Sequence, residues 1–314
     1  MTAYLIRRLL QALVVLFGVS VITFVMIHLL PGGPRALLGI TATPPQVRAF
    51  IIANGFNKPI WTQYVTYMDH IFHGNFGYSF HDNQTVLQLL QQNLPKSALL
   101  VGLSAAASLI VAVPLGILQA VRRNKPVDYF LTAGAFVGYS MPLFWLGTLL
   151  ILIFAVDVHL LPPSGPQGST VGALLTQPRA LILPVATLAI VTIALWSRYM
   201  RSSAVDNLVQ DYIRTARAKG ASETRVLFGH LLRNALLPII TLLGLSLPAV
   251  LSGEVITESV FNYPGMGLLF WDAATSHDYA VLMGVTIVVG AATVIGSLLA
   301  DLLYAVVDPR VRYS

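Results

Sequence analysis

Six stretches of this 314-residue chain are each apolar enough, over roughly 20 residues, to cross a lipid bilayer. No other feature narrows the possible folds as much. They are Leu9–Leu30, Ala98–Val121, Leu131–Val156, Ala180–Ser197, Ala235–Ile256 and Val281–Val307. A hydrocarbon core about 30 Å thick takes about 20 residues of helix at about 1.5 Å each. Lipid offers nothing to pair with backbone N–H and C=O groups, so each stretch is expected to be a helix. Charged residues make up only 10% of the chain, against roughly 25% in a soluble domain. The expected class is therefore an all-α integral membrane protein with six transmembrane helices.

The first stretch follows Arg7 and Arg8, as a secretory signal would. It is longer than a signal core, however, and PGGP (Pro31–Pro34) follows it in place of a small-x-small cleavage site. It is expected to stay as the first helix. With the N-terminus placed inside, 14 of the 19 Lys and Arg residues fall in inner segments and five in outer ones. Inner charge wins at every alternation, which predicts that both termini are cytoplasmic. The pI near 9.6 is thus a matter of topology, and no nucleic-acid partner is expected. Cysteine is absent, which excludes disulfides and thiolate chemistry.

The chain divides into residues 1–30, the tail and first helix; 31–97, an outer segment; and 98–314, a five-helix core. The outer segment carries Trp61, Tyr64, Tyr67, Phe72, Phe76, Tyr78 and Phe80, enough aromatic surface for a small extracytoplasmic cap. Val86–Leu94 reads as an amphipathic helix leading into the second span.

Seven of the 32 charged residues lie between Asp211 and Pro238, in the long inner loop 198–238. Asp206–Lys219 lacks Pro and Gly and reads as a helix. Gly220 suits the left-handed turn that ends one. Ser222 then caps a second helix running to about Leu236, with Glu223 in its first turn. Pro238 fits the opening turn of the next span. Ala216, Ala218, Gly220 and Ala221 would let another surface come close, and Arg217 and Lys219 would meet acidic groups on it. An ordinary basic loop obeying the positive-inside rule has the same charge.

Several other clusters carry alternatives. Asp69, His70 and His73, with His81 and Asp82 nearby, are metal-ligating types, with a wet aromatic surface helix as the plainer reading. Glu254 and Glu258 sit near the outer end of the fifth stretch and are candidates for an outer gate or partner contact, against simple interfacial solvation. Asp301 is expected to pair with an inner Arg. Tyr139, Ser140 and Pro142, with Ser246, Pro248, Ser252 and Gly253, are candidates to line a path, although small residues also serve helix packing. No catalytic constellation can be assembled, and no embedded carboxylate chain points to a proton relay.

The loop resembles the EAA loop of ABC importer permeases: Thr215-Ala216-Arg217, then Gly220, then Asn234 and Leu236-Leu237-Pro238. Thr215 and Arg217 replace the Glu and second Ala of the general pattern, as in the peptide-importer branch. RRLLQALVVLFGVSVITFVMIHLLPGGP, NKPIWTQYVTYMDHIFHGNFGYSF, YSMPLFWLGTLLILIFAVDVHLLPPSG, SGEVITESVFNYPGMG and the closing DPRVRY are similar to the B-type permease subunit of dipeptide and oligopeptide importers. Gly33 stands where that family often has Asp. The resemblance spans nearly the whole chain. It implies a type I ABC importer permease fold in a bacterial inner or plasma membrane. It also implies a homologous second permease, two cytoplasmic ATPase subunits and an extracytoplasmic substrate-binding protein as partners. Residues 215–221, Asn234 and Pro238 would couple to the ATPases, and ATP and Mg would lie on those partner chains. This chain has no G-x-x-x-x-G-K-[ST] loop, and no cofactor of its own is expected. Nickel or glutathione import shares the architecture. From other classes, a self-contained secondary transporter or a polytopic membrane enzyme remain as rivals.

Overall fold

The computed structural model describes residues 2–29, 38, 43–53 and 55–307; for residues 2–6, 8, 27, 247–252 and 300–307 it describes the backbone only. Expectations placed on Pro31–Pro34, on the side chains of Pro248, Ser252 and Asp301, and on the closing DPRVRY lie outside the described residues.

Helix α1 (Thr2–Leu29) is followed by α2 (Pro44–Ala53) and α3 (Ile60–Phe72). A two-residue antiparallel ladder, β1 (Tyr78–Ser79) with β2 (Gln84–Thr85), leads into α4 (Val86–Val121). The Thr85 hydroxyl accepts from Gln88 N–H while the Gln88 side chain accepts from Thr85 N–H, a reciprocal cap that fixes where α4 begins. The expected amphipathic helix at Val86–Leu94 is therefore the first part of α4 and not a separate element. At about 1.5 Å per residue, α4 is about 54 Å long and projects well past a hydrocarbon core.

The third apolar stretch does not form one straight helix. It divides into α5 (Pro126–Ser140) and α6 (Leu143–Ile151), the latter continued by a π-helical turn to Asp157. The two arms meet at 102°. Pro142 supplies no N–H, and its ring pushes Met141 to an extended ψ of 129°.

After α7 (Val171–Leu175), α8 (Pro178–Leu208) spans the fourth stretch. The inner loop holds α9 (Asp211–Ala218), then α10 (Glu223–Arg225), a π-helical stretch Val226–Leu231, and α11 (Leu232–Ala235). The fifth stretch was expected to run unbroken to Ile256. It forms α12 (Leu237–Ser252) and stops where Gly253 takes φ +76°. α13 (Val255–Val260), α14 (Met266–Ser276) and α15 (Tyr279–Val307) complete the order. Among the described residues four helices, α1, α4, α8 and α15, are long and apolar enough to cross a membrane alone. The number rises to six if each of two bent pairs is one span.

α4 packs along α8, α12 along α15, and α1 against α15. Leu9, Leu10, Leu13, Val14 and Phe17 on α1 stay exposed, an apolar surface that suits lipid and not water. Two polar ends emerge. One gathers Ser79, Ser97, Gly165, Gln167, Asn262, Tyr263 and Asp278 through hydrogen bonds between distant segments. The other gathers Asn124, Asp128, Arg201 and the loop carrying α9–α11. The aromatic outer segment lies alongside α1 as well as beyond it. Tyr64 on α3 meets Phe24 edge-on at 5.2 Å and shares a 2.8 Å hydrogen bond with Ser20.

Candidate functional site

The inner loop is clamped from within. Ile213 and Ala216 on α9 are buried in a cluster with Ala112, Ile117, Met200, Val226, Leu231 and Ile239, which ties the loop to α4, α8 and α12. That demand explains a break the sequence does not mark. Asp206–Lys219 was expected as one helix, but α8 ends at Leu208 and Gln210 is extended (ψ 152°). The chain there redirects so that the apolar face of α9 turns inward. Ala216 consequently faces the core, correcting its expected place on the docking surface. Thr215, Arg217, Ala218, Lys219, Gly220 and Asn234 are exposed, with Ala221 and Pro238 half-buried.

Gly220 takes φ +79°, and a Cβ built on it would meet nothing within 4 Å. The left-handed turn is as expected, and it points into open space. The Ser222 hydroxyl caps α10 by accepting from Arg225 N–H at 3.4 Å. Arg217 is not free for an outside acid: its Nε and Nη2 donate to Glu223 at 2.9 and 3.1 Å. Those hydrogen bonds hold the Glu223 carboxyl below its usual range. Lys219 is left as the exposed cation at the turn.

Behind the loop lies a contact that sequence reasoning missed. Asp128, 2% exposed, accepts Nε and Nη2 of Arg201 at 2.7 and 2.8 Å and the N–H of Asn124 at 3.0 Å. This paired fork bolts the start of α5 to α8 two turns before α8 ends. Its sequence signal was an acidic residue in the first turn after Pro126, with an Arg on the next inner segment.

At the opposite end the two candidate glutamates come together, but not as a gate surface. Glu258 is fully buried. Its Oε1 accepts from the Ser97 hydroxyl at 2.7 Å and from Glu254 N–H at 3.1 Å, and its Oε2 from Gly267 and Leu268 N–H at 2.7 and 3.1 Å. Ser97 Oγ in turn accepts Met266 N–H at 2.7 Å. The first three N–H groups of α14 are thus capped by side chains from α13 and α4. Gly265 is required here, because a Cβ would collide with the Glu258 carboxyl and the Ser97 hydroxyl. Glu258 is a brace buried within this chain, not the exposed surface group that was expected. Glu254 remains half-buried beside it.

Tyr139 and Ser140 lie exposed on two open grooves that share Phe136. Ser246 is in neither, and its hydroxyl donates to Leu243 O within its own helix. Among the described residues no three His, Asp or Glu side chains come within reach of one metal ion. His73 pairs with Asp69 and His81 with Asp82, all on wet surface.

Residues 112–313 match the family described as binding-protein-dependent transport system inner membrane component, and residues 1–101 match the N-terminal domain of the same membrane components. Over its whole length the chain is 40% identical to the oligopeptide transport system permease protein AppB of Bacillus subtilis, and covers all of it. With equally full coverage it is 38% identical to OppB, of the same description, from Haemophilus influenzae, and 33% to the dipeptide transport system permease protein DppB of Escherichia coli K12. A solved structure of the MetNI methionine ABC transporter, in inward facing conformations, matches with a TM-score of 0.52 at 16% identity. It covers 70% of this chain and 96% of that one. At that identity the likeness is one of fold.

Proposed function

The chain belongs to the family of binding-protein-dependent transport system inner membrane components, and from that membership we propose that it is the permease subunit of an ATP-driven peptide importer. It forms half of a path through a bacterial inner membrane, the other half coming from a homologous permease. With α5 and α6 taken as one bent span and α12 as another, the chain crosses six times, with both termini cytoplasmic and the segment between α1 and α4 on the outer side. This assignment agrees with the Lys and Arg distribution and with the separation of the two polar ends. A substrate-binding protein delivers peptide at the outer end. Two cytoplasmic ATPases hold ATP and Mg, and this chain catalyses nothing itself.

The observation that carries the reading is the inner loop. Its inward face is locked into the bundle by Ile213, Ala216, Val226 and Leu231, while Ala218, Lys219 and Gly220 project with open space beyond them. A rigidly mounted protrusion of small residues suits a socket on a soluble partner. Movement of that partner would pass through α9–α11 into α8 and α12, and through Arg201 into α5.

Co-purification from native membranes in mild detergent tests this. The expected result is stoichiometric recovery of a second permease and of chains carrying a phosphate-binding loop. Recovery of this chain alone, or as a homodimer, under conditions that keep other ABC complexes whole would overturn it.

A further inference from the structure

Arg198, the first residue of the inner loop, packs against an aromatic ring. Its guanidinium carbon lies 4.5 Å from the centroid of the Phe136 ring. Phe136 is five residues into the third apolar stretch, about 8 Å from its inner end. Arg198, the first residue after the fourth apolar stretch, thus turns its head back just inside the hydrocarbon boundary. A cation there is kept where it faces a polar groove or the interior of an assembly. Arg201, one turn further along α8, is matched by Asp128. Arg198 makes no ion pair with any described residue and is only half-buried.

The space beside it is an open groove of about 560 Å³ between α5 and α8, lined among others by Thr132, Phe136, Tyr139, Arg198 and Tyr199. Two arginines and one aspartate leave this region with one net positive charge. The guanidinium carbon lies over the Phe136 ring, and its N–H donors, with no carboxylate among the described residues to pair with, can grip two oxygens at once. On the other side of Phe136 the groove meets a second one of about 580 Å³ at the bend, lined by Ser140, Met141, Pro142 and Trp145. The two grooves share Phe136.

We infer that Arg198 receives the C-terminal carboxylate of the transported peptide as it moves along the α5–α8 groove, with the Tyr139 and Tyr199 hydroxyls beside it. This rests on the importer reading above. A carboxylate is the anion such a guest always carries, whatever its side chains. A lipid phosphate offers similar chemistry at the same level, and the vesicle compositions in the test separate the two sources.

The test uses the whole complex with its binding protein in proteoliposomes. Uptake of a short-peptide library is compared with uptake of the same library amidated at the C-terminus, at saturating binding protein. Taking the ratio of variant to wild type for each library cancels the binding protein's own preference. Arg198→Gln is expected to lower uptake of the free acids by roughly tenfold or more, the worth of a charge-assisted hydrogen bond, and to leave the amides within about twofold. Arg198→Lys should restore part of the loss. Equal loss for both libraries would make Arg198 merely structural, and no loss would remove it from the path; either outcome overturns the inference. So does a loss, equal for both libraries, that appears only in vesicles containing phosphatidylglycerol, which would assign the site to a headgroup. If the wild type takes up neither library, the importer reading itself falls, a result separate from any effect of the variant.

Discussion

Two residues at opposite ends of the molecule show how a side chain's chemistry and its address combine. Glu258 satisfies two N–H groups of α14, the Ser97 hydroxyl and Glu254 N–H with its two oxygens, all as acceptor. Glu258→Gln would turn one oxygen into an NH2 facing other donors, so it should destabilise almost as much as Glu258→Ala. The expected cost is on the order of 2–3 kcal/mol, the penalty for buried donors left unpaired. Thermal unfolding of the purified complex checks this: a Gln variant that melts like wild type yet fails to transport would restore a gating role. Gly220 makes the opposite case. Its left-handed φ makes Gly220→Ala a backbone strain of about 1 kcal/mol, with uptake largely kept because the added methyl meets nothing in this chain. Gly220→Arg should leave the chain inserted and abolish uptake, since its bulk stands where the proposed ATPase partner would dock. Normal uptake with Arg at this position would refute a close-fitting joint. Sequence reasoning found Gly220 from its place after a helix. It missed the role of Glu258 because the donors it serves lie nine and ten residues downstream and, through Ser97, on another helix.

Among the elements, the decisive features are breaks and bolts. The Asp128–Arg201 fork joins α5 to α8, and removing Arg201 leaves a buried carboxylate uncompensated. Arg201→Ala is therefore expected to cost about 3–5 kcal/mol, while Asp128→Asn combined with Arg201→Met should recover much of it. A double variant no more stable than Arg201→Ala in the same melting assay would show that the pair is not the unit of stabilisation. How legible such elements were depended on what set them. Hydropathy marked every long span, because lipid leaves the backbone no option but helix. The 102° bend was written locally in Met141-Pro142, but an unbroken apolar run concealed it. The break between α8 and α9 has no local mark, neither Pro nor Gly. It exists because Ile213 and Ala216 must reach a core formed by residues distant in sequence. Likewise Val86–Leu94 has the amphipathic pattern of a surface helix, yet Val86, Leu89 and Leu90 are buried against α14 and α15, which only the tertiary arrangement reveals.

On the scale of the whole molecule, the loop end and the outer end are separate polar assemblies joined by apolar helices. Under the proposed reading, the loop protrudes to be moved by a partner, and what it moves is a span. The absence of cysteine from the chain allows this to be probed at a single introduced thiol. The most direct measurement places a cysteine at Lys219 and applies a short thiol-to-amine crosslinker to the assembled complex in native membranes. The account predicts a crosslink from this position to an ATPase subunit, diminished when the thiol is moved to the lipid-facing Val14. A thiol at Lys219 that remains solvent-accessible and crosslinks to no ATPase, in membranes where uptake is active, would contradict it.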